Sequence, residues 1–146
     1  MKDNLTELVF ILDKSGSMSG LEKDTIGGFN SMLKQQRAVE GDVLISTVLF
    51  DTHNTVLHNR VSIKDIKYLT GNDYKVGGGT ALLDALGSAI KHINRVQKEM
   101  PEDERPAKTM FVITTDGQEN SSREYTYEKV KKMVLKKQEK KSWWCA

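Results

Sequence analysis

The sequence predicts an α/β fold: a doubly wound, mostly parallel sheet with one antiparallel edge strand and helices on both faces. Three observations support this prediction. Two apolar runs, 8–12 and 109–115, lack alternation, as is typical of strands buried on both faces of a parallel sheet. Segments with apolar residues at helical spacing lie between the strands. A more polar segment follows the second strand across a turn, which indicates an antiparallel hairpin.

The first half of the chain contains the first helix and the hairpin. Segment 19–22 has the capping-box pattern, with Ser19 three residues before Glu22, and predicts a helix start there. Ile26, Phe29 and Leu33 follow at helical spacing and predict one buried stripe. Residues 43–50 form the second predicted strand, 51–54 a turn, and 55–63 an edge strand paired with the second.

The second half contains two further helices and a strand between them. Residues 64–79 carry no clear pattern, and we expect at most a short helix at 66–69. Three glycines then precede Thr80 and a helix whose apolar stripe includes Leu82, Leu86 and Ile93. An acidic loop at 101–106 leads into the strand at 109–115. A second capping box at 121–124 predicts the last helix, which is apolar on one side and rich in lysine on the other.

Length and charge point to one domain, residues 1–146, with a well-solvated surface. The 146 residues carry a formal net charge of +2, which gives no strong attraction to nucleic acid or anionic lipid. The single cysteine, Cys145, excludes a disulfide within the chain. No apolar run approaches the ~20 residues needed to cross a membrane, and the first residues lack the apolar stretch of a signal peptide. We therefore expect a cytoplasmic protein without membrane contact.

Polar side chains follow the predicted strands in loops that share one edge of the sheet. Asp13, Ser15 and Ser17 come directly after the first strand, and Asp116 follows the strand at 109–115. The carboxyl ends of parallel strands meet at one edge, where α/β sheets bind ligands. The loop that ends at Thr80 enters its helix from the same edge if the crossover is right-handed. We therefore expect these five residues to converge.

The spacing and chemistry of these residues suit a metal ion. In an extended loop, residues two apart face the same way, so Asp13, Ser15 and Ser17 could point at one centre. All five candidates offer oxygen, which suits a hard cation, and few carboxylates with room for water favour Mg²⁺ or Mn²⁺ over a calcium cage. Taken alone, the stretch 13–17 would also suit an ordinary turn and helix cap.

These residues also resemble those of a known family. The strings Asp13-x-Ser15-x-Ser17, Gly79-Thr80 and Thr115-Asp116-Gly117 resemble the metal-ion-dependent adhesion site (MIDAS) of von Willebrand factor A (VWA) domains. The resemblance covers roughly residues 7–140. It implies that Asp13, Ser15, Ser17, Thr80 and Asp116 bind Mg²⁺ or Mn²⁺, some directly and some through water. It also implies that an acidic side chain of a protein partner completes the coordination.

The chain departs from that family at its carboxyl end. The family usually continues past the last helix with at least one more strand and a helix, so we expect its last strands and helix to be missing here. Trp143 and Trp144 could begin the next strand, packed against the last helix, but could not complete the sheet. The strand at 109–115 would then keep an apolar edge, which a second copy of the chain or another protein could cover.

Three functions are compatible with these residues. The leading hypothesis is a non-catalytic module, similar to bacterial intracellular VWA domains, that binds a protein partner through Mg²⁺; we predict no enzymatic activity. A second hypothesis is a Mg²⁺-dependent phosphatase or phosphotransferase with Asp13 as nucleophile. Enzymes with haloacid-dehalogenase-like folds carry a second acid two residues on, where this chain has Ser15. A third hypothesis is salt-sensitive nucleic-acid binding by the lysines of the last helix. We favour the simpler interpretation that these lysines form a solvated helix face.

The three histidines show no metal-binding spacing. His53, His58 and His92 are scattered over a turn, the predicted edge strand and a helix. We therefore predict all three to be surface residues.

Overall fold

The structure is a computed structural model that describes residues 2–38, 41–115, 127–138 and 143–145. Within these ranges the chain alternates strands and helices in the predicted order. The elements are β1 (Lys2–Asp13), α1 (Glu22–Arg37), β2 (Asp42–Phe50), β3 (Asn54–Ser62), α2 (Leu82–Glu99), β4 (Pro106–Thr114), α3 (Tyr127–Gln138) and β5 (Trp143–Cys145). Short 3₁₀ turns lie at Gly16–Met18, Ile63–Asp65 and Glu102–Glu104.

The strands form one mixed sheet in the order β3-β2-β1-β4-β5. β1 pairs in parallel with β2 and β4, and β5 pairs in parallel with β4. Among the strands in the described ranges, only β3 runs antiparallel, paired with β2. The fold class predicted from the sequence is confirmed, including the antiparallel strand at the edge.

β1 is buried because both of its faces carry apolar side chains. Leu8, Phe10 and Leu12 belong to one core with α1, where the ring of Phe10 meets that of Phe29 edge to face at a centroid distance of 4.7 Å. Val9 and Ile11 belong to a second core, on the opposite face, with α2 and α3. Because successive strand residues face opposite sides, an unbroken apolar run is what a strand between two helical layers needs.

The start of α1 differs from the prediction. The residue that precedes the helix is Leu21, and no side-chain cap is formed there. The Ser19 backbone N–H instead donates to the carbonyl of Gly16 at 3.1 Å and closes the 3₁₀ turn at Gly16–Met18. Ser19 therefore ends one element and is not available to begin the next. The Glu22 carboxylate accepts the Gly20 N–H instead of the Ser19 N–H that a capping box would require, so the predicted capping box is wrong.

The segment between β3 and α2 has little regular structure. The short helix predicted at 66–69 is wrong; a 3₁₀ turn forms earlier, at Ile63–Asp65. The rest of the segment is fixed by buried side chains, with Leu69 at 4% and Tyr74 at 2% exposure. Asn30 of α1 also holds it, because its side chain donates to the Leu69 carbonyl and accepts the Leu69 N–H. Side-chain anchoring thus replaces backbone pairing in this segment.

The far edge of the sheet is partly covered by β5. Residues Thr109, Met110 and Phe111 of β4 pair with Trp143, Trp144 and Cys145. The prediction that Trp143 and Trp144 begin the next strand is confirmed, and the β4 edge expected to be bare is covered over these three residues. The second predicted capping box, 121–124, lies outside the described residues. In the part of the chain described here, no helix is both long and apolar enough to cross a bilayer.

A buried ion pair lies near the middle of β1. Glu7 is fully buried, and Arg60 of β3 donates to its two carboxylate oxygens at 2.5 and 3.2 Å. Gln97 of α2 donates to the same carboxylate at 2.8 Å and to the Thr109 hydroxyl at 2.9 Å. Arg60 adopts a φ of 52°, in the left-handed region, beside an irregularity in the β2–β3 pairing. The charge of Glu7 is thereby matched inside the protein.

Candidate metal site

Asp13 is the last residue of β1 and lies at the carboxyl edge of the sheet. The strand registers pair Asp13 with Phe50 of β2 and Leu12 with Thr114 of β4, so both neighbouring strands end beside it. The side chain is 0% exposed. An aspartate at this place is carried by the strand rather than by a flexible loop, because its backbone still belongs to the sheet.

Two donors hold the Asp13 carboxylate. The backbone N–H of Ser15 donates to Oδ1 at 2.8 Å, and the hydroxyl of Thr115 donates to Oδ2 at 2.8 Å. A second hydroxyl, that of Tyr74, donates to the backbone carbonyl of Asp13. Each carboxylate oxygen accepts one of these hydrogen bonds and has a second lone pair.

The loop after β1 is joined to the glycine-rich loop before α2. Gly16 donates its backbone N–H to the carbonyl of Gly78 at 3.0 Å, and Gly77 donates to the carbonyl of Lys14 at 2.8 Å. With the bond from Tyr74, these contacts link residues 13–16 to residues 74–78. The loop that carries Asp13 and the loop that leads to Thr80 therefore form one connected structure.

The turn between β2 and β3 supports the glycine-rich loop from the other side. The Thr52 hydroxyl accepts the Gly79 N–H at 2.9 Å, and the carbonyl of Asp51 accepts the Ala81 N–H at 2.8 Å. Gly78 has a φ of +78°, and a Cβ added there would lie 3.3 Å from the Asp51 side chain. Thr80, between these anchors, is 2% exposed.

Three of the five predicted ligands belong to these linked loops. Asp13, Ser15 and Thr80 are all buried at the carboxyl edge, at 0%, 1% and 2% exposure. Asp116 lies outside the described residues, and so does the side chain of Ser17. The reason given for the Asp-x-Ser-x-Ser spacing holds only as far as Ser15, which is extended; the backbone of Gly16–Met18 forms a 3₁₀ turn.

Several residues that shape the site escaped the sequence prediction. Tyr74, Asp51 and Thr52 contact the loops directly but belong to no metal-binding pattern. Thr115 belongs to the Thr115-Asp116-Gly117 string but was not predicted to contact Asp13. Asp51 directly follows Phe50, the residue of β2 that pairs with Asp13, so its position at the same edge could have been found from the order of the strands. The contacts of Tyr74 and Thr115 join distant parts of the chain, and no local sequence pattern predicts them.

The donor chemistry of the site fits a hard cation. The three described candidates offer a carboxylate and two hydroxyl groups, and such oxygen ligands suit Mg²⁺ or Mn²⁺. Nowhere in the described ranges do three or more His, Cys, Asp or Glu side chains cluster as a metal site, so the chemistry of a zinc centre is not found there. Asp13 also has no ion-pair partner among the described residues, although the nearby Lys14 reaches Asp51 at 4.0 Å.

Comparisons with solved structures agree with this fold. A von Willebrand factor type A protein from Catenulispora acidiphila is 15% identical, with a TM-score of 0.60 over 99% of this chain and 32% of that one. A structure of three amino-terminal domains of the type V pili tip protein Mfa5 from Porphyromonas gingivalis is 21% identical, with a TM-score of 0.55 over 78% of this chain and 20% of that one. The ArnB paralog VWA2 from Sulfolobus acidocaldarius is 24% identical, with a TM-score of 0.50 over 83% of this chain and 29% of that one.

These structural neighbours are all much longer than this protein, which spans between a fifth and a third of their lengths. At such identities they show the shared fold alone. None of the curated proteins matches the sequence significantly.

The family assignment comes from a match over nearly the whole sequence. The family model described as "VWA domain containing CoxE-like protein" matches residues 2–145. The doubly wound sheet, its antiparallel edge strand and the VWA neighbours agree with that match. The chain therefore belongs to the CoxE-like family of VWA domain proteins.

Proposed function

We propose that this VWA domain is a metal-dependent protein-binding module. In this proposal Asp13, Ser15, Ser17, Thr80 and Asp116 hold Mg²⁺ or Mn²⁺ at the carboxyl edge of the sheet, and an acidic side chain of a partner completes the coordination. The metal supplies a positive charge and an open coordination position. The chain's own residues fix the carboxylate and the hydroxyl groups around it.

The observation that carries the proposal is a contrast between two buried carboxylates. Glu7 and Asp13 are both 0% exposed, and Arg60 neutralises Glu7. Asp13 has only neutral donors, the Ser15 N–H and the Thr115 hydroxyl, among the described residues. Burying an unpaired charge is strongly unfavourable, so buried carboxylates are paired or bind metals. A divalent cation would supply the positive charge that pairs with the Asp13 carboxylate.

An acidic partner follows from the charge balance of the proposed site. Only two of the five proposed ligands, Asp13 and Asp116, carry a charge, and the three hydroxyl groups are neutral. A divalent cation with so few carboxylates keeps affinity for a further anionic oxygen. VWA domains commonly mediate protein–protein interactions and are generally non-catalytic, which agrees with a carboxylate offered by another protein.

Affinity capture from native lysate tests the proposal. The wild-type chain is used with Mg²⁺ and with chelator, beside Asp13→Asn with Mg²⁺. Asp65→Asn is the matched control. Asp65 is exposed and follows β3, beside the amino ends of the parallel strands, whereas Asp13 lies at their carboxyl ends. We expect a partner that is lost with chelator and with Asp13→Asn but retained by Asp65→Asn.

A captured protein supports the mechanism only if one of its own acids is required. Each exposed Asp or Glu of the captured protein is therefore changed to its amide, and one such change should abolish binding. If all captured proteins persist with chelator and with Asp13→Asn, a metal-bridged contact is not how this domain binds.

The alternative with Asp13 as a nucleophile receives less support. The residue two positions after Asp13 is Ser15, whose side chain cannot protonate a leaving group as a carboxylic acid would. Hydrolysis of p-nitrophenyl phosphate by the wild-type chain with Mg²⁺, lost in Asp13→Asn, would favour the enzyme instead.

A further inference from the structure

Thr115 connects the end of β4 to the carboxylate at the end of β1. Leu12 pairs with Thr114, so Asp13, the last residue of β1, and Thr115, the residue after β4, stand beside each other. The Thr115 hydroxyl donates to Asp13 Oδ2 at 2.8 Å, across a sequence separation of 102 residues. Thr115 is partly buried. The contact thus joins two strand ends at the edge where the metal is proposed to bind.

We propose that Thr115 is a positioning residue that orients Asp13 and makes the site prefer Mg²⁺ to Ca²⁺. This inference rests on the proposed function, because it concerns the same metal. It assigns no metal contact to Thr115 itself; the hydroxyl acts through Asp13.

The orientation follows from the two donors on the carboxylate. The Ser15 N–H holds Oδ1 and the Thr115 hydroxyl holds Oδ2, both at 2.8 Å. Because the donors come from different strand ends, the carboxylate cannot turn without losing one of them. Hydrogen bonds to a charged acceptor are stronger than neutral ones, so this pair fixes the group well.

The preference for Mg²⁺ follows from what each cation needs. Mg²⁺ demands near-ideal octahedral geometry, whereas Ca²⁺ accepts six to eight oxygens and takes carboxylates through one or both oxygens. A carboxylate with a donor on each oxygen is held in one orientation and has less freedom to bind through both. Without the Thr115 hydroxyl, Oδ2 is released and the group can turn toward a larger cation.

Isothermal titration with MgCl₂ and with CaCl₂ tests the role of Thr115. Thr115→Val removes the hydroxyl at nearly constant shape, Thr115→Ser keeps it, and Thr114→Val is the control at the neighbouring position. We expect Thr115→Val to weaken Mg²⁺ binding about tenfold, as for other residues that orient metal ligands. Ca²⁺ binding should weaken less, so the Mg²⁺/Ca²⁺ ratio of affinities falls. Thr115→Ser and Thr114→Val should keep the wild-type ratio.

Urea unfolding of the same variants separates the positioning role of Thr115 from a general loss of stability. A folding defect would weaken the binding of both cations alike. The inference is overturned if Thr115→Val keeps the wild-type Mg²⁺/Ca²⁺ ratio, or if Thr115→Ser loses it as Thr115→Val does. A wild-type chain that binds neither cation would overturn the proposed function and this inference with it. A wild-type chain that binds Mg²⁺, with Thr115→Val unchanged, would overturn the role of Thr115 alone.

Discussion

Glu7 and Asp13 lie six residues apart on β1 and face the same side of the sheet, yet of the two only Glu7 has a cationic partner among the described residues. Both are 0% exposed. Glu7 accepts hydrogen bonds from Arg60 and Gln97, whereas Asp13 accepts them from a backbone N–H and a hydroxyl. Glu7 is therefore paired with a cation within the protein, whereas Asp13 has no ion-pair partner among the described residues and is the carboxylate proposed to bind the metal. The middle of β1 therefore contributes stability, and its carboxyl end is where the metal is proposed to bind.

Removing the partner of Glu7 should destabilise the fold. Arg60→Met leaves a fully buried carboxylate without a cation, and breaking a buried pair in this way costs about 3–5 kcal/mol. Changing both partners, Glu7→Gln with Arg60→Met, should recover much of that loss because no charge stays buried. Urea unfolding followed by circular dichroism measures both effects.

The control for this prediction is the looser pair between Lys14 and Asp51. Its closest atoms are 4.0 Å apart, and both side chains are partly exposed. Lys14→Met should therefore cost less than about 1 kcal/mol. Equal losses for Lys14→Met and Arg60→Met would contradict the distinct role given to the buried pair.

A side chain at Gly78 should disturb the loop that leads to Thr80. Gly78→Ala places a Cβ on a backbone with φ of +78° and 3.3 Å from Asp51. The left-handed conformation alone costs about 1–2 kcal/mol for a residue with a Cβ. We expect lower stability and weaker Mg²⁺ binding, because the Gly78 carbonyl accepts the Gly16 N–H. Gly71→Ala is the control, since nothing lies within 4 Å of a Cβ there; a loss of Mg²⁺ binding in both variants would argue against a specific effect.

The hydroxyl of Tyr74 should stabilise the junction between the two loops. Tyr74→Phe removes the donor to the Asp13 carbonyl and leaves that carbonyl in a buried place, at a cost of about 1–3 kcal/mol. Tyr68→Phe is the matched control because Tyr68 is 47% exposed. Thermal unfolding should separate the variants; equal melting temperatures for both would show that the Tyr74 hydroxyl does not support the junction.

His58 should make stability depend on mild acidity. It is partly buried, lies over Phe29 and shares a hydrogen bond with the Thr47 hydroxyl at 2.9 Å, so its expected surface position is wrong. Burial lowers the pKa of His58 below its ordinary value of 6.5, although the charge of Asp73 opposes this. The unfolded chain then takes up the proton more readily, and the stability that His58 provides is lost as the pH falls below 6.5.

Urea midpoints measured from pH 7.5 downwards test the effect of His58. The wild-type midpoint should fall on acidification, and His58→Gln should show a shallower fall. His92→Gln, at a histidine on α2, should keep the wild-type slope. The same slope in His58→Gln as in the wild type would remove His58 as the cause.

The sequence predicted those features that depend on neighbours along the chain. The apolar run at 8–12 identified β1 because burial on both faces leaves a continuous pattern. The order of strands and turns gave the hairpin and the edge at which Asp13, Ser15 and Thr80 lie. Ser19 was assigned to the wrong element because a 3₁₀ turn competed for its backbone N–H.

The features that escaped prediction join residues far apart in sequence. The contact between Arg60 and Glu7 spans 53 positions, that between Tyr74 and Asp13 spans 61, and that between Thr115 and Asp13 spans 102. Such contacts depend on the register between strands and on loop paths, which no local pattern encodes. The residues proposed as metal ligands follow a local sequence pattern, whereas these long-range contacts do not.

Binding of Mn²⁺, followed by the loss of its free electron paramagnetic resonance signal, tests the central claim most directly. The wild-type chain should bind a single Mn²⁺ that excess Mg²⁺ displaces. Asp13→Asn should lose this binding because the buried charge is removed, while Asp65→Asn, at the opposite edge, should retain it. Mn²⁺ binding by Asp13→Asn that equals the wild type, or no binding by the wild type, would contradict the account.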